Sequence, residues 1–142
     1  MNNPEKALSN FEKGMNCAQS VLATFGPSFG LDEKICIRIA SPFGGGIGHI
    51  QEICGAVSGA IMAIGLKHGA GTDQRDKRDR INGLAQEFIR AFKKKNNSIL
   101  CRDLLGFDIS TQSGLIEARN RGIFKVCPGY VRSAAEILDL ML

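Results

Sequence analysis

The chain has 142 residues, 44% of them hydrophobic and 23% charged, which is ordinary globular usage within the size of a single domain. Its 18 basic and 14 acidic residues leave a formal charge of +4, interleaved along the sequence, so charge alone draws it neither to nucleic acid nor to a membrane surface. No apolar run reaches the roughly 18 residues of a membrane span, because the longest candidate, Ala56 to Leu66, is broken by Ser58, Gly59 and Gly65.

The opening residues, Met1-Asn2-Asn3-Pro4-Glu5-Lys6, show no basic patch followed by an apolar core, and the expected location is the cytoplasm. Helical periodicity begins at once. Ala7, Phe11, Met15, Ala18, Leu22 and Phe25 fall on one stripe entered through Pro4, as one helix or as two meeting at Gly14. In the second case Asn16 caps the new segment and Cys17 is its first residue. After the turn-rich Gly26 to Gly30, Asp32 can cap a short helix carrying Ile35, Cys36 and Ile39, which Ser41-Pro42 ends.

A glycine-rich loop, Phe43-Gly44-Gly45-Gly46-Ile47-Gly48-His49, leads into the most regular helix, with Ile53, Ala56, Val57, Ala60, Ile61 and Ile64 at helical spacing. Gly55 and Gly59 share one face of it, which suits close backbone packing. Thr72 or Asp73 can cap the next helix, whose apolar stripe is Ile81, Leu84, Ala85, Phe88 and Phe92 and whose end carries Lys93, Lys94 and Lys95. Ser98 can cap a short segment from Cys101 to Leu105, stopped by Gly106, and Leu115 to Ala118 suggest another helical piece. The last helix is expected after Cys127, with Pro128 first and Val131, Ala134, Ala135 and Leu138 facing inward. The expected architecture is an all-α bundle of six or seven helices in one domain, 1–142, without internal repeats.

Four of the five cysteines, Cys17, Cys54, Cys101 and Cys127, fall at these helix starts. Unpaired backbone N–H groups and the positive end of the helix dipole favour thiolate over thiol there, so sulfur is placed to act as ligand or nucleophile. Four thiolates are a full ligand set for an iron-sulfur cluster, 2Fe-2S or 4Fe-4S, or for one zinc ion. The local C-x-x-C pairs of zinc ribbons and ferredoxins are absent, so thiol redox chemistry and plain burial stay open beside a metal site. Cys36, on an apolar segment, reads as a small buried hydrophobe.

The glycine loop lacks the Lys and Ser or Thr of a P-loop, and no strand precedes it. Its amides are available to hydrogen-bond sulfur near the Cys54 helix end. His49 reads as a helix-start residue, with ligand or proton carrier as alternatives, and His68 as a partner of a helix C-terminus. Neither forms a catalytic set with a carboxylate, so the sequence names no catalytic residue.

Taken in order, Asn16-Cys17-Ala18-Gln19, Phe43-Gly44-Gly45-Gly46, Cys54-Gly55-Ala56-x-x-Gly59, Cys101-Arg102-Asp103-Leu104-Leu105-Gly106 and Cys127-Pro128 before an alanine-rich helix resemble the C_GCAxxG_C_C family of redox-active proteins, from about Asn16 to Leu138. The resemblance implies that Cys17, Cys54, Cys101 and Cys127 are the family's four cysteines and hold a metal centre of iron and sulfur, since related domains occur in multi-cofactor redox proteins such as the split-Soret cytochromes. Three functions follow as expectations. The first is an electron carrier with an iron-sulfur cluster and a redox partner protein, the cluster lying within one chain or shared across a homodimer. The second is a thiol-disulfide protein or sensor, and the third a zinc-stapled or metal-free helical scaffold.

Overall fold

Gly14 decides how the fold begins. Its φ of +105° lies where only glycine is at ease, and the first helix, α1 (Asn3–Glu12), stops before it. Asn16 then starts α2 (Cys17–Phe25) with a reciprocal cap: its side-chain oxygen accepts from the Gln19 N–H, and the Gln19 side chain accepts from the Asn16 N–H, both at 2.9 Å. The two-helix alternative is the one observed.

The computed structural model describes residues 1–142. It continues with α3 (Glu33–Ala40), α4 (Gly55–His68), α5 (Arg75–Asn96), α6 (Cys101–Leu105), α7 (Gln112–Arg121) and α8 (Cys127–Met141). The all-α expectation holds, with eight helices instead of six or seven. The chain breaks at Gly14, and both short pieces, around Cys101 and Leu115, complete helical turns of their own.

Several expected starts shift. Arg75 opens α5 behind Gln74, with no side-chain cap from Thr72 or Asp73. Ser98 sits two residues ahead of the α6 cap position, Leu100, where its hydroxyl accepts from the Leu100 N–H. Ile53 is not helical: it pairs with Leu100 in an isolated antiparallel bridge, flanked by Cys54 N–H to Ile99 C=O and Cys101 N–H to Glu52 C=O, both 2.7 Å. Cys127 is itself the first residue of α8, and Pro128 the second.

Helix α4 is apolar nearly all round and lies at the centre, against α2, α5 and α8. Its Val57, Ala60 and Ile64 share one core with Leu22 of α2, Phe88 and Phe92 of α5, and Val131 and Leu138 of α8. No helix is long and apolar enough to cross a membrane.

The α2–α4 contact is set by glycine. A Cβ on Gly59 would stand 2.7 Å from the Ala18 carbonyl oxygen and 3.3 Å from the Val21 Cβ, so the helix backbones themselves are in contact. Gly83, exposed in mid-α5, has nothing within 4 Å of the equivalent position. We therefore expect opposite signs from the same substitution. Gly59→Ala should lower stability by about 1–2 kcal/mol, overpacking outweighing helix propensity. Gly83→Ala should raise it by about 0.5–1 kcal/mol. Urea midpoints of the two variants check both signs.

Candidate functional site

Cys17 is the first residue of α2, Cys54 the cap residue of α4, Cys101 the first of α6 and Cys127 the first of α8. All four line a single cavity of about 510 Å³. Three features gather them. The absent side chain of Gly55 lets α4 reach α2, since a Cβ there would lie 3.0 Å from the Ala18 nitrogen and 3.2 Å from the Cys17 Cβ. The Ile53–Leu100 bridge ties the approach of Cys54 to the approach of Cys101. The packing of α8 against α2 and α4 brings in Cys127. Cys36 lies elsewhere, wholly buried against Gly26, with its thiol donating to the Leu31 carbonyl at 3.5 Å.

The glycine-rich loop forms one wall. Five consecutive residues, Gly45 to His49, have φ between +57° and +70°, and Gln51 follows at +63°. Glycine adopts this backbone freely, but Ile47, His49 and Gln51 do so at a cost of about 1–3 kcal/mol each. The turn is held by long-reach bonds, including Gly48 N–H to Pro42 C=O and Glu52 N–H to Gly46 C=O, both 2.8 Å. Buried Gln51 braces it from behind, donating to the Phe107 carbonyl at 2.7 Å and accepting from the Ile109 N–H at 3.1 Å. Gly46 has no room for a side chain, because a Cβ would meet the Cys101 Cβ at 2.6 Å.

This winding leaves the amide N–H groups of Gly44, Gly45 and Gly46, all residues of the cavity wall, without an acceptor in the protein. Gly44 and Gly46 are buried, and buried amides without partners are rare. They suit a negatively charged or sulfur-bearing occupant.

The thiols do not ionise as their helix positions suggest. Burial pushes Cys54 up to about 11, against N–H groups of Ala56 and Val57 that pull the other way, and burial pushes Cys101 to about 12. Cys17 is also raised well above its usual range, first by its interaction with the Cys127 sulfur and then by burial. Cys127 is lowered by its neighbour Cys17, against burial that works the other way, and is the most acidic thiol of the set. Desolvation and the neighbouring sulfurs thus outweigh the helix ends at three of the four sites.

His49 is not at a helix start. It sits in the left-handed turn, half-buried on the cavity wall, with its ring against Gly45. His68 ends α4, and burial followed by Arg80 and Lys67 lowers its pKa, which works against a cationic role at the helix C-terminus. Sequence reasoning missed Gln51, whose position beside the glycine loop gave no sign of the two backbone groups it serves. It also missed Tyr130, whose hydroxyl donates to the Leu104 carbonyl at 3.0 Å on the same cavity.

No three His, Cys, Asp or Glu side chains are placed to hold a single metal ion. Zinc with thiolates at about 2.3 Å would need its sulfurs drawn closely together. Four cysteines spread around an open cavity suit a polynuclear centre better, since each metal atom of a cluster takes only some of the protein sulfurs.

Cys54, Cys101 and Cys127 are 5%, 7% and 7% exposed, so access hardly separates them and ionisation should. In metal-free, reduced protein near neutral pH we expect iodoacetamide to label Cys127 faster than Cys54 or Cys101, read by peptide mass spectrometry. The raised thiols also fix a sign for stability. The unfolded chain releases these protons near the ordinary value of 9.0, whereas the folded chain keeps them to about 11 and 12, so stability is unaffected below pH 9 and falls as pH rises through that window. Urea midpoints measured from about pH 8 to pH 11 should decline, and less steeply in Cys101→Ala.

The family model described as "Putative redox-active protein (C_GCAxxG_C_C)" matches residues 15–141. No curated protein and no solved structure matches the chain. Because the matched span covers all but the first α-helix and includes every cysteine of the cavity, the chain belongs to the C_GCAxxG_C_C family.

Proposed function

We propose that the protein is an electron carrier in which Cys17, Cys54, Cys101 and Cys127 hold an iron-sulfur cluster, 2Fe-2S or 4Fe-4S, and that it exchanges single electrons with a partner protein. The observation that carries this reading is the convergence of four thiols from four helix starts on one cavity whose wall offers three unpaired amides. Bound there, the cluster would supply a one-electron couple. The chain's own part is to provide the thiolates, donate amide hydrogen bonds from Gly44 to Gly46, and limit solvent with Phe11, Met15 and Leu104. Because all four cysteines come from one chain, the reading needs no second copy to complete the ligand set.

Cys17 and Cys127 line the same cavity and Cys127 is lowered by its neighbour, which favours a second reading, a reversible disulfide with Cys127 as the nucleophile. Zinc is less well supported, for the lack of a three-ligand group noted above.

Reconstitution of the oxygen-free protein with iron and sulfide separates these readings. We expect stoichiometric iron and acid-labile sulfide, with broad absorption near ~400 nm from sulfur-to-iron charge transfer. Cys54→Ser and Cys101→Ser should each lose most of that absorption. Gly46→Ala should weaken loading by displacing Cys101, without removing any ligand. A colourless protein that forms a Cys17–Cys127 disulfide on mild oxidation would replace the cluster reading with the second one.

A further inference from the structure

We propose that the cavity also takes a small organic acid, with its carboxylate paired to Arg119 and its apolar body lying on Phe11, Met15, Leu115 and Phe124. The inference goes beyond electron carriage and rests on the cavity wall, whatever the cysteines hold. A volume of about 510 Å³ falls within the roughly 300–1,000 Å³ of pockets that enclose organic ligands.

The charge of the wall selects the sign of the ligand. No aspartate or glutamate lines the cavity, and Arg119, on α7, is its one permanently charged residue. Nearby arginines are neutralised: Arg121 pairs with Glu117 at 2.9 Å and Arg102 with Glu52 at 2.8 Å. Arg119 has no carboxylate partner, and its planar guanidinium matches a carboxylate with two parallel hydrogen bonds. One cation fits one negative charge. His49, on the same wall, has its backbone N–H on the Gly44 carbonyl but no hydrogen bond from its ring, which supplies a further polar group. The aromatic and aliphatic side chains then favour an acid with an apolar body over acetate or formate.

Calorimetric titration of the full chain, purified without oxygen, tests this with benzoate as the probe and benzyl alcohol as its uncharged match. We expect saturable binding of benzoate that weakens at least tenfold in Arg119→Gln and by a smaller factor in Arg119→Lys, where the charge is retained but the two parallel hydrogen bonds are not. Benzyl alcohol should bind more weakly and equally to all three proteins. Backbone amide shifts should move at Arg119 and at Leu115 and Phe124, which flank it on the cavity wall. The proposal is overturned if benzoate shows no saturation by about 10 mM, if Arg119→Gln binds it as well as the parent, or if the shifts map to another surface. Arg119 is exposed, so circular dichroism should show the variant folded and keep the comparison valid.

Discussion

The backbone contact between α2 and α4 is the constraint on which the remaining architecture depends. Helices usually stand 8–10 Å apart because side chains separate them. Here Gly55 and Gly59 remove that separation at the end where both helices begin, and the α4 backbone meets Ala18 directly. This puts Cys17 beside Cys54. It also forces the chain between α3 and α4 to turn back within a narrow gap, which the run of left-handed residues achieves. Asn16 joins the two sides, since one side-chain atom caps α2 and the other donates to the Ser41 carbonyl at 3.0 Å.

The cysteines show two opposing electrostatic effects resolved by burial. A helix N-terminus offers about half a unit of positive charge, which falls off within a turn. Desolvation acts on the whole sulfur, and around one cavity the neighbouring sulfurs further oppose ionisation of Cys17, Cys54 and Cys101. The result is a set whose thiols at Cys17, Cys54 and Cys101 are held above the ordinary range, while Cys127 is lowered beside Cys17. A cation entering the cavity must displace those protons, so any metal affinity is coupled to pH more steeply than for exposed thiols.

The sequence revealed the elements better than their meeting point. Gly14 and Asn16 offered the break that makes Cys17 a helix start as one of two readings, because a glycine followed by a strong cap has a local physical meaning, and the structure takes that one. The stripe of α4 and the glycines on its face were equally readable. The gathering of Cys101 was not, because it runs through the Ile53–Leu100 bridge and the backbone bonds of Glu52 and Ile99, which no side-chain pattern encodes. Ser98 looked like the α6 cap for the same reason: the first amide of α6 is taken by Glu52 instead. The loop misled in its own way. Four glycines signalled freedom, yet Ile47, His49 and Gln51 adopt the same left-handed backbone, which their residue types argue against.

That strain has a definite location and a definite brace. Left-handed backbone at a β-branched residue persists only where surrounding bonds over-determine it, and Gln51 provides two of them from outside the loop. Were stability the only requirement, glycine at Ile47 or an ordinary right-handed turn would relieve the cost. The winding instead keeps the Gly44, Gly45 and Gly46 amides free of protein acceptors and leaves Gly46 no thicker than its backbone against Cys101. Unpaired amides and backbone strain each lower stability, and both occur in the segment that walls the four cysteines. Their coincidence there, and the absence of any acidic side chain to satisfy those amides, indicate a loop shaped around what the cavity receives.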